Sequence, residues 1–444
     1  MSRPFFIGRD ILASLPTRAL RRVHGRSTAM SIARARQPAW RARMPKKYPS
    51  PRQRPALLTE LRELKMAKSA HAYVRGSTIR FYTWLAAADR ELPQGPAVWI
   101  CGDCHVSNMG PVADAEGHVD VQIRDFDQAV IGNPAHDLIR LGLSLAMAAR
   151  GSDLPGIVTA RMMEQLVFGY EQALSGKPGK SRTLRKRPDS IQLVVKRAMR
   201  RKWKHLAAER IEGIDPDLPL SKNYWPIAAA ERRALKVLMA GEELRALVTS
   251  LSHRDDDDDV EMLDAAFWVK GCSSLGLLRY AVLLRVGKSK DPESGLCLID
   301  IKEAAKAAAP RAEKIAMPHG NAQRIVQGAT ALSPHLGERM RPGTFMGKAV
   351  FLRELLPQDL KIDIERLSQH EAMDVAGYLG NVVGCAHARQ LDDGARRRWL
   401  GELKRNRSKS LDAPSWLWRS VVDLVREHEG GYLEHCRRFA NIDA

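Results

Sequence analysis

The sequence predicts an α+β fold in two lobes, a helical lobe early in the chain and a β-rich lobe after it. Two short apolar runs, Val98–Ile100 and Val119–Ile123, are each followed by aspartates, as strands are that deliver carboxylates at their C-terminal ends. A later stretch, 267–304, reads as successive strands joined by a glycine-bearing turn and a polar turn, the last strand ending in Lys302. Helical apolar spacing brackets both stretches, at 57–66, 139–149 and 373–387.

The chain opens on a basic segment. Over residues 1–58 arginine follows arginine, Asp10 is the one acidic residue, and six prolines from Pro16 to Pro55 interrupt the run. Such composition predicts a poorly ordered arm able to meet nucleic acid or to act as a targeting segment, and equally a plain solvated tail. The helical lobe is expected over 59–250, the β-rich lobe over 251–360, and helices over 361–444 packing back on the helical lobe. The whole chain carries a net charge of +20, which favours anionic partners without choosing among them. Six scattered cysteines fit a reducing compartment, and no apolar run is long enough for a membrane span, so a cytoplasmic protein is the expectation.

Past the helix at 57–66, Arg75 stands beside Gly76. It can reach a phosphate, although a buried ion pair is the commoner role for such an arginine. The stretch 98–144 then holds most of the chemistry. Asp103 follows the first strand, Asn108 lies five positions later, and Asp125 and Asp127 follow the second strand. This is the order of a phosphoryl-transfer site, in which the first aspartate orients a hydroxyl while the asparagine and a later aspartate hold Mg2+. Taken singly, each of these residues is an ordinary turn or cap residue.

Other patterns compete for the same residues. Cys101-Gly102-Asp103-Cys104-His105 fits C-x-x-C-H, but haem attachment belongs to exported chains, and a zinc knuckle lacks its second cysteine pair. Asp103-Cys104-His105 is also a D-x-H, yet the further His and Asp ligands of a two-metal phosphoesterase are missing. Asp137, at the start of the next apolar helix, reads as a structural brace or cap.

The block 176–205 is strongly basic and predicts a helix with a cationic face, solvated or touching RNA or membrane. Asp255 to Asp259 reads as a solvated linker. Gly271-Cys272-Ser273-Ser274-Leu275-Gly276 then lies between apolar segments, followed by strands at 280–286 and 296–301. A hairpin of this kind can cover ATP phosphates while Lys302 contacts them; it is not a Walker A loop, because Gly276 precedes Leu277. The parts are those of a protein-kinase-like two-lobe fold, but the catalytic loop comes first and the nucleotide lobe second. A circular permutation reconciles this order, with the strand at 350–355 and the helix at 373–387 leading back to the catalytic loop.

CGDCHVSNMG, IRDFDQA and HDLIRL, preceded by SAHAYVRG and followed by GCSSLGLLRY, IKEA and AHAR, resemble the bacterial family DUF2252 over residues 60 to 440. That resemblance implies likeness to protein kinases and aminoglycoside phosphotransferases. It makes Asp103 the base, Asn108 a metal ligand and Asp125 the main metal ligand, with His105 a brace of the loop. Asp127 replaces an expected glycine, so either aspartate can be the principal ligand, and Ser273 replaces a third glycine. Glu303 and Glu313 are the candidates to pair with Lys302. The expected activity is ATP- and Mg2+-dependent phosphotransfer to an unidentified acceptor, with phosphoryl and adenylyl transfer both open. A non-catalytic ATP-binding sensor and a nucleic-acid-associated protein are the alternatives.

Overall fold

A computed structural model describes residues 48–88, 92–152, 154–176, 186–203, 205–206, 217–251, 254–272, 274–287, 295–313, 315–362, 368–405 and 414–440. All belong to the unit that runs from residue 45 to the C-terminus. Most of the basic arm and Ser273 lie outside the described residues.

Helix α1 (Arg54–Met66) opens with a proline in its first turn, where the missing N–H costs nothing. It therefore begins inside the segment expected to be an arm. Arg54 is buried and ion-paired with Glu231 at 2.6 Å. Helix α2 (Ala70–Gly76) is capped by Ser69 Oγ, which accepts from Ala72 N at 3.1 Å, and α3 (Thr78–Ala88) follows after Ser77. Next come β1 (Val98–Ile100), a 3-10 turn (Val106–Asn108), β2 (Met109–Ala113), β3 (Val119–Ile123) and β4 (Val130–Gly132). They form two antiparallel pairs, β1 with β4 and β2 with β3.

Helix α4 (Ala135–Gly151) is buried on nearly every side, the mark of a central core helix. Helix α5 (Gly156–Ser175) packs beside it, and α6 (Asp189–Arg200) exposes basic residues as the cationic block predicts. The short β5 (Tyr224–Trp225) and helices α7 (Ala229–Met239) and α8 (Glu242–Val248) lead into β6 (Val260–Trp268), β7 (Arg279–Val286) and β8 (Leu296–Glu303). Helix α9 (Asn321–Leu332), the one-turn α10 (Pro334–Gly337), β9 (Met340–Phe345) and β10 (Lys348–Leu355) follow. The chain closes with α11 (Gln369–Ala388), α12 (Asp393–Arg405) and α13 (Ser415–Ala440).

The fold is α+β. Six strands form one antiparallel sheet in the order β5-β6-β7-β8-β10-β9. Its strands alternate: Tyr280, Val282 and Leu284 join a core with α1, α7 and α8, while Ala281 and Leu283 join a smaller core on the other face. A separate, larger core gathers α3, α4, α5, α9, α11 and β1–β4. Within it α5 and α11 touch backbone to backbone; a Cβ on Gly169 would lie 1.9 Å from Gly377 O. Among the described residues no helix is long and apolar enough to cross a membrane.

Candidate active site

The turn after β1 is held from three directions. Asp137, in the first turn of α4, accepts hydrogen bonds from Cys101 N at 2.7 Å and Gly102 N at 2.9 Å. Tyr82 of α3 donates its hydroxyl to Gly102 O. Gly102 has φ +73°, and a Cβ there would fall 2.2 Å from Gln128 O, so the turn closes only around glycine. Asp137 thus acts as the brace its position suggested.

Beyond the turn, Asp103 accepts from Arg140 Nε at 2.8 Å and from Thr78 Oγ1 at 3.4 Å. Burial lifts its carboxyl above the ordinary 3.8, and Arg140 opposes that rise. Asn108 donates its Nδ2 to Asp103 O at 3.0 Å, which turns its amide oxygen away as an acceptor. His105 is buried; its Nε2 is 3.9 Å from Asp103 Oδ2, too far for a hydrogen bond. Desolvation, then Arg140, Arg75 and Lys361, hold its imidazole well below 6.5.

Asp125 and Asp127 follow β3 and face Lys302 on β8. The ammonium is hydrogen-bonded to Asp127 Oδ2 and lies 3.7 Å from Asp125 Oδ1. Burial raises both carboxyls, but Lys302, Arg279 and Arg353 outweigh it at Asp125, which sits below its ordinary value. Asp127, burdened by burial and by the Asp125 charge, sits above. Lys302 here does what any cation would do, gathering the two carboxylates around positive charge. With the free oxygen of Asn108, this donor set fits a hard divalent ion such as Mg2+.

Lys302 has no glutamate partner among the described residues. Glu303, one of the two expected candidates, pairs with Lys348 at 3.0 Å and accepts from Leu278 N at 2.9 Å; the other, Glu313, is exposed in a loop. Adjacent residues on a strand point to opposite faces, which is why Glu303 turns away from Lys302. Helix α9, which follows β8, carries no acidic residue. Its Arg324 instead donates to Asp127 O at 3.0 Å and Ala129 O at 2.5 Å.

Gly271 (φ +97°) and Ser274 line the same cleft as Asp103, Asn108, Asp125 and Lys302. Lys65 of α1 donates to Gly271 O at 3.1 Å. Gly276 (φ +105°) faces α1 instead, with Thr59 nearest to the place of a Cβ.

The cleft also contains residues that sequence reasoning passed over. Asp300 receives Arg279 through two bonds, 2.8 and 2.5 Å, and Arg353 at 2.9 Å. Burial would raise Asp300, but the two guanidinium groups hold it well below the carboxylate range. Asp300 precedes Lys302 by two on β8, so strand alternation was the available signal. Arg75, expected as a buried ion-pair partner, has no carboxylate partner among the described residues and lines the cleft. Cys101 and Cys104 are buried free thiols with raised pKa, suited to packing and not to ligation.

The family model for DUF2252, an uncharacterized protein conserved in bacteria, matches residues 54–438. The chain belongs to the DUF2252 family. The match begins at the first residue of α1 and ends within α13, so this DUF2252 protein's cleft and both of its large cores lie inside the family's span. No curated protein and no solved structure matches the chain.

Proposed function

We propose that the cleft binds ATP with Mg2+ and transfers a phosphoryl group to an acceptor hydroxyl, in a kinase-like arrangement whose catalytic part precedes its nucleotide part in the chain. The reading rests on one meeting: Lys302, on the third of three successive strands, reaches Asp125 and Asp127 from 175 positions beyond Asp127, in the cleft that also holds Asp103. A glycine turn between the first two strands, a lysine on the third and a helix next is the order of a nucleotide-covering hairpin. The permuted order is supported by α11, whose His387 meets the Asp137 that braces the catalytic turn.

In this reading Lys302 leaves its aspartates for the α- and β-phosphates, with Gly271 and Ser274 beside them. Asn108 and Asp125 would hold Mg2+, with Asp127 adjoining, and the ion would neutralise phosphate charge. Asp103 takes the proton of the acceptor hydroxyl as its oxygen bonds to the γ-phosphorus and the bond to the ADP oxygen breaks. Its raised pKa suits a group that must receive a proton, and Arg140 keeps it in place. His105 stays neutral beside Asp103, its Nδ1 buried without a hydrogen bond.

Isothermal titration of ATP with Mg2+ into wild type, Asp125→Ala and Lys302→Ala tests the reading. Binding by wild type that weakens in both variants is expected, and equal binding by all three removes the model. One observation favours a second reading, nucleotide binding without transfer: α9 offers Lys302 no acidic residue. In that case Asp103→Asn binds ATP and releases ADP no differently from wild type.

A further inference from the structure

The cleft holds more positive charge than nucleotide and metal use. Arg279 and Arg353 are spent on Asp300, and Arg124 donates to the carbonyl oxygens of Asp359 and Leu360. Lys302 is bonded to the aspartates here and is taken by the nucleotide phosphates in the proposed reaction, and Lys270 lies 3.9 Å over the Trp268 ring. Arg75 and Lys361 remain, lining the cleft with no ion-pair partner among the described residues. The Arg75 Nε is buried and makes no hydrogen bond, a state that costs free energy until a ligand supplies an acceptor.

Both residues are anchored to the loop that carries Asp103 and Asn108. Val74, next to Arg75, accepts through its carbonyl from Arg140 Nη2 at 2.8 Å, and Arg140 holds Asp103. Ile362, next to Lys361, donates its N–H to Met109 O at 3.2 Å, one residue past Asn108. Though Lys361 as a whole is exposed at the mouth, desolvation of its ammonium, then Arg75 and Arg124, lowers its pKa to about 8. Two cations that line one cleft, neither in an ion pair among the described residues, leave room for an anion even with Asp125 in the same cleft.

Building on the phosphotransferase reading, the geometry points to an acceptor that is itself an anion, a hydroxyl compound bearing a phosphate group that Arg75 and Lys361 clamp while its hydroxyl meets Asp103. Cationic acceptors of the amino-sugar kind are disfavoured by the same charges.

The experiment is calorimetry in two steps on the full chain. The protein is first saturated with Mg2+ and the β,γ-imido analogue of ATP, then titrated with glycerol 3-phosphate, with glycerol as the uncharged control. Wild type binds glycerol 3-phosphate and not glycerol; Arg75→Ala and Lys361→Gln each weaken it about tenfold or more, as loss of a charge-assisted hydrogen bond does, with analogue affinity unchanged. Lys361→Gln lies at the exposed mouth, so it remains informative where Arg75→Ala fails to fold. Absent binding, binding unaltered by the variants, or a parallel fall in analogue affinity overturns the inference, the last by giving both cations to the nucleotide. Should wild type take no analogue, the transferase reading fails alone. Titration of inorganic phosphate into the nucleotide-free protein then decides: a loss in both variants sustains the clamp, and equal binding ends it.

Discussion

Asp137 Oδ2 and His387 Nε2 lie 3.2 Å apart, both fully buried and 250 positions apart in the chain. His387 Nδ1 is 3.0 Å from Tyr170 Oη, and that oxygen accepts from Trp399 Nε1 at 3.1 Å. With Cys101 N and Gly102 N on the same carboxylate, α4, α5, α11 and α12 all converge on the turn before Asp103. Asp137→Ala strands two buried N–H donors and the histidine, so a loss of about 3–5 kcal/mol is expected in chemical denaturation. Asp137→Asn, which keeps one acceptor oxygen, should lose less. Equal stability of all three proteins would show that the network is incidental.

The Arg279–Asp300–Arg353 group predicts a pH dependence. Asp300 is depressed in the folded protein, so its contribution is complete above the unfolded value of about 4 and drains as pH falls through it. Thermal melting between neutral pH and pH 3 should fall more steeply for wild type than for Asp300→Asn. That variant starts lower by about 3–5 kcal/mol, because two buried arginines lose their carboxylate.

Local pattern made much of the fold legible. Strands β1 and β3 occupy the residues that apolar alternation marks, and β7, β8 and β10 extend those readings by one to two residues at their ends. Helix α9 escaped, because the apolar residues of 321–332 are mainly alanine and a few spaced aliphatics with no cap signal. In the site, turn chemistry exposed Asp103, Asn108, Asp125 and Asp127. Arg75 was open to a phosphate contact from its place beside Gly76, whereas Arg353 and Lys361 were illegible as cleft residues, since an arginine or lysine on a strand or loop carries no mark of the cavity it faces. Arg140 had a signal: it lies three residues after Asp137, on the same helix face.

Gly102 and Gly117 offer a controlled comparison. Both have positive φ, +73° and +86°, so alanine costs each about 1–2 kcal/mol of backbone strain. Only Gly102 also has a carbonyl in the way, 2.2 Å from the added Cβ; around Gly117 nothing lies within 4 Å. Gly102→Ala should therefore melt well below Gly117→Ala and, on the proposed function, lose ATP turnover. Matching melting temperatures would mean that the turn relaxes around the methyl group.

On the proposed phosphotransfer, the proton acceptor can be identified from the pH profile of any ADP release with water as acceptor. Asp103 titrates above 3.8, because burial penalises its anion more than Arg140 relieves it. Transfer needs the anion, so the rate is full well above that raised value and falls as pH drops through it. His105 is held well below 6.5 and stays neutral across the working range, so no inflection near its ordinary value is expected. Asp103→Asn should abolish the release, and His105→Gln should leave the acid limb where it is. An acid limb that moves or vanishes in His105→Gln would transfer the role of base to the histidine.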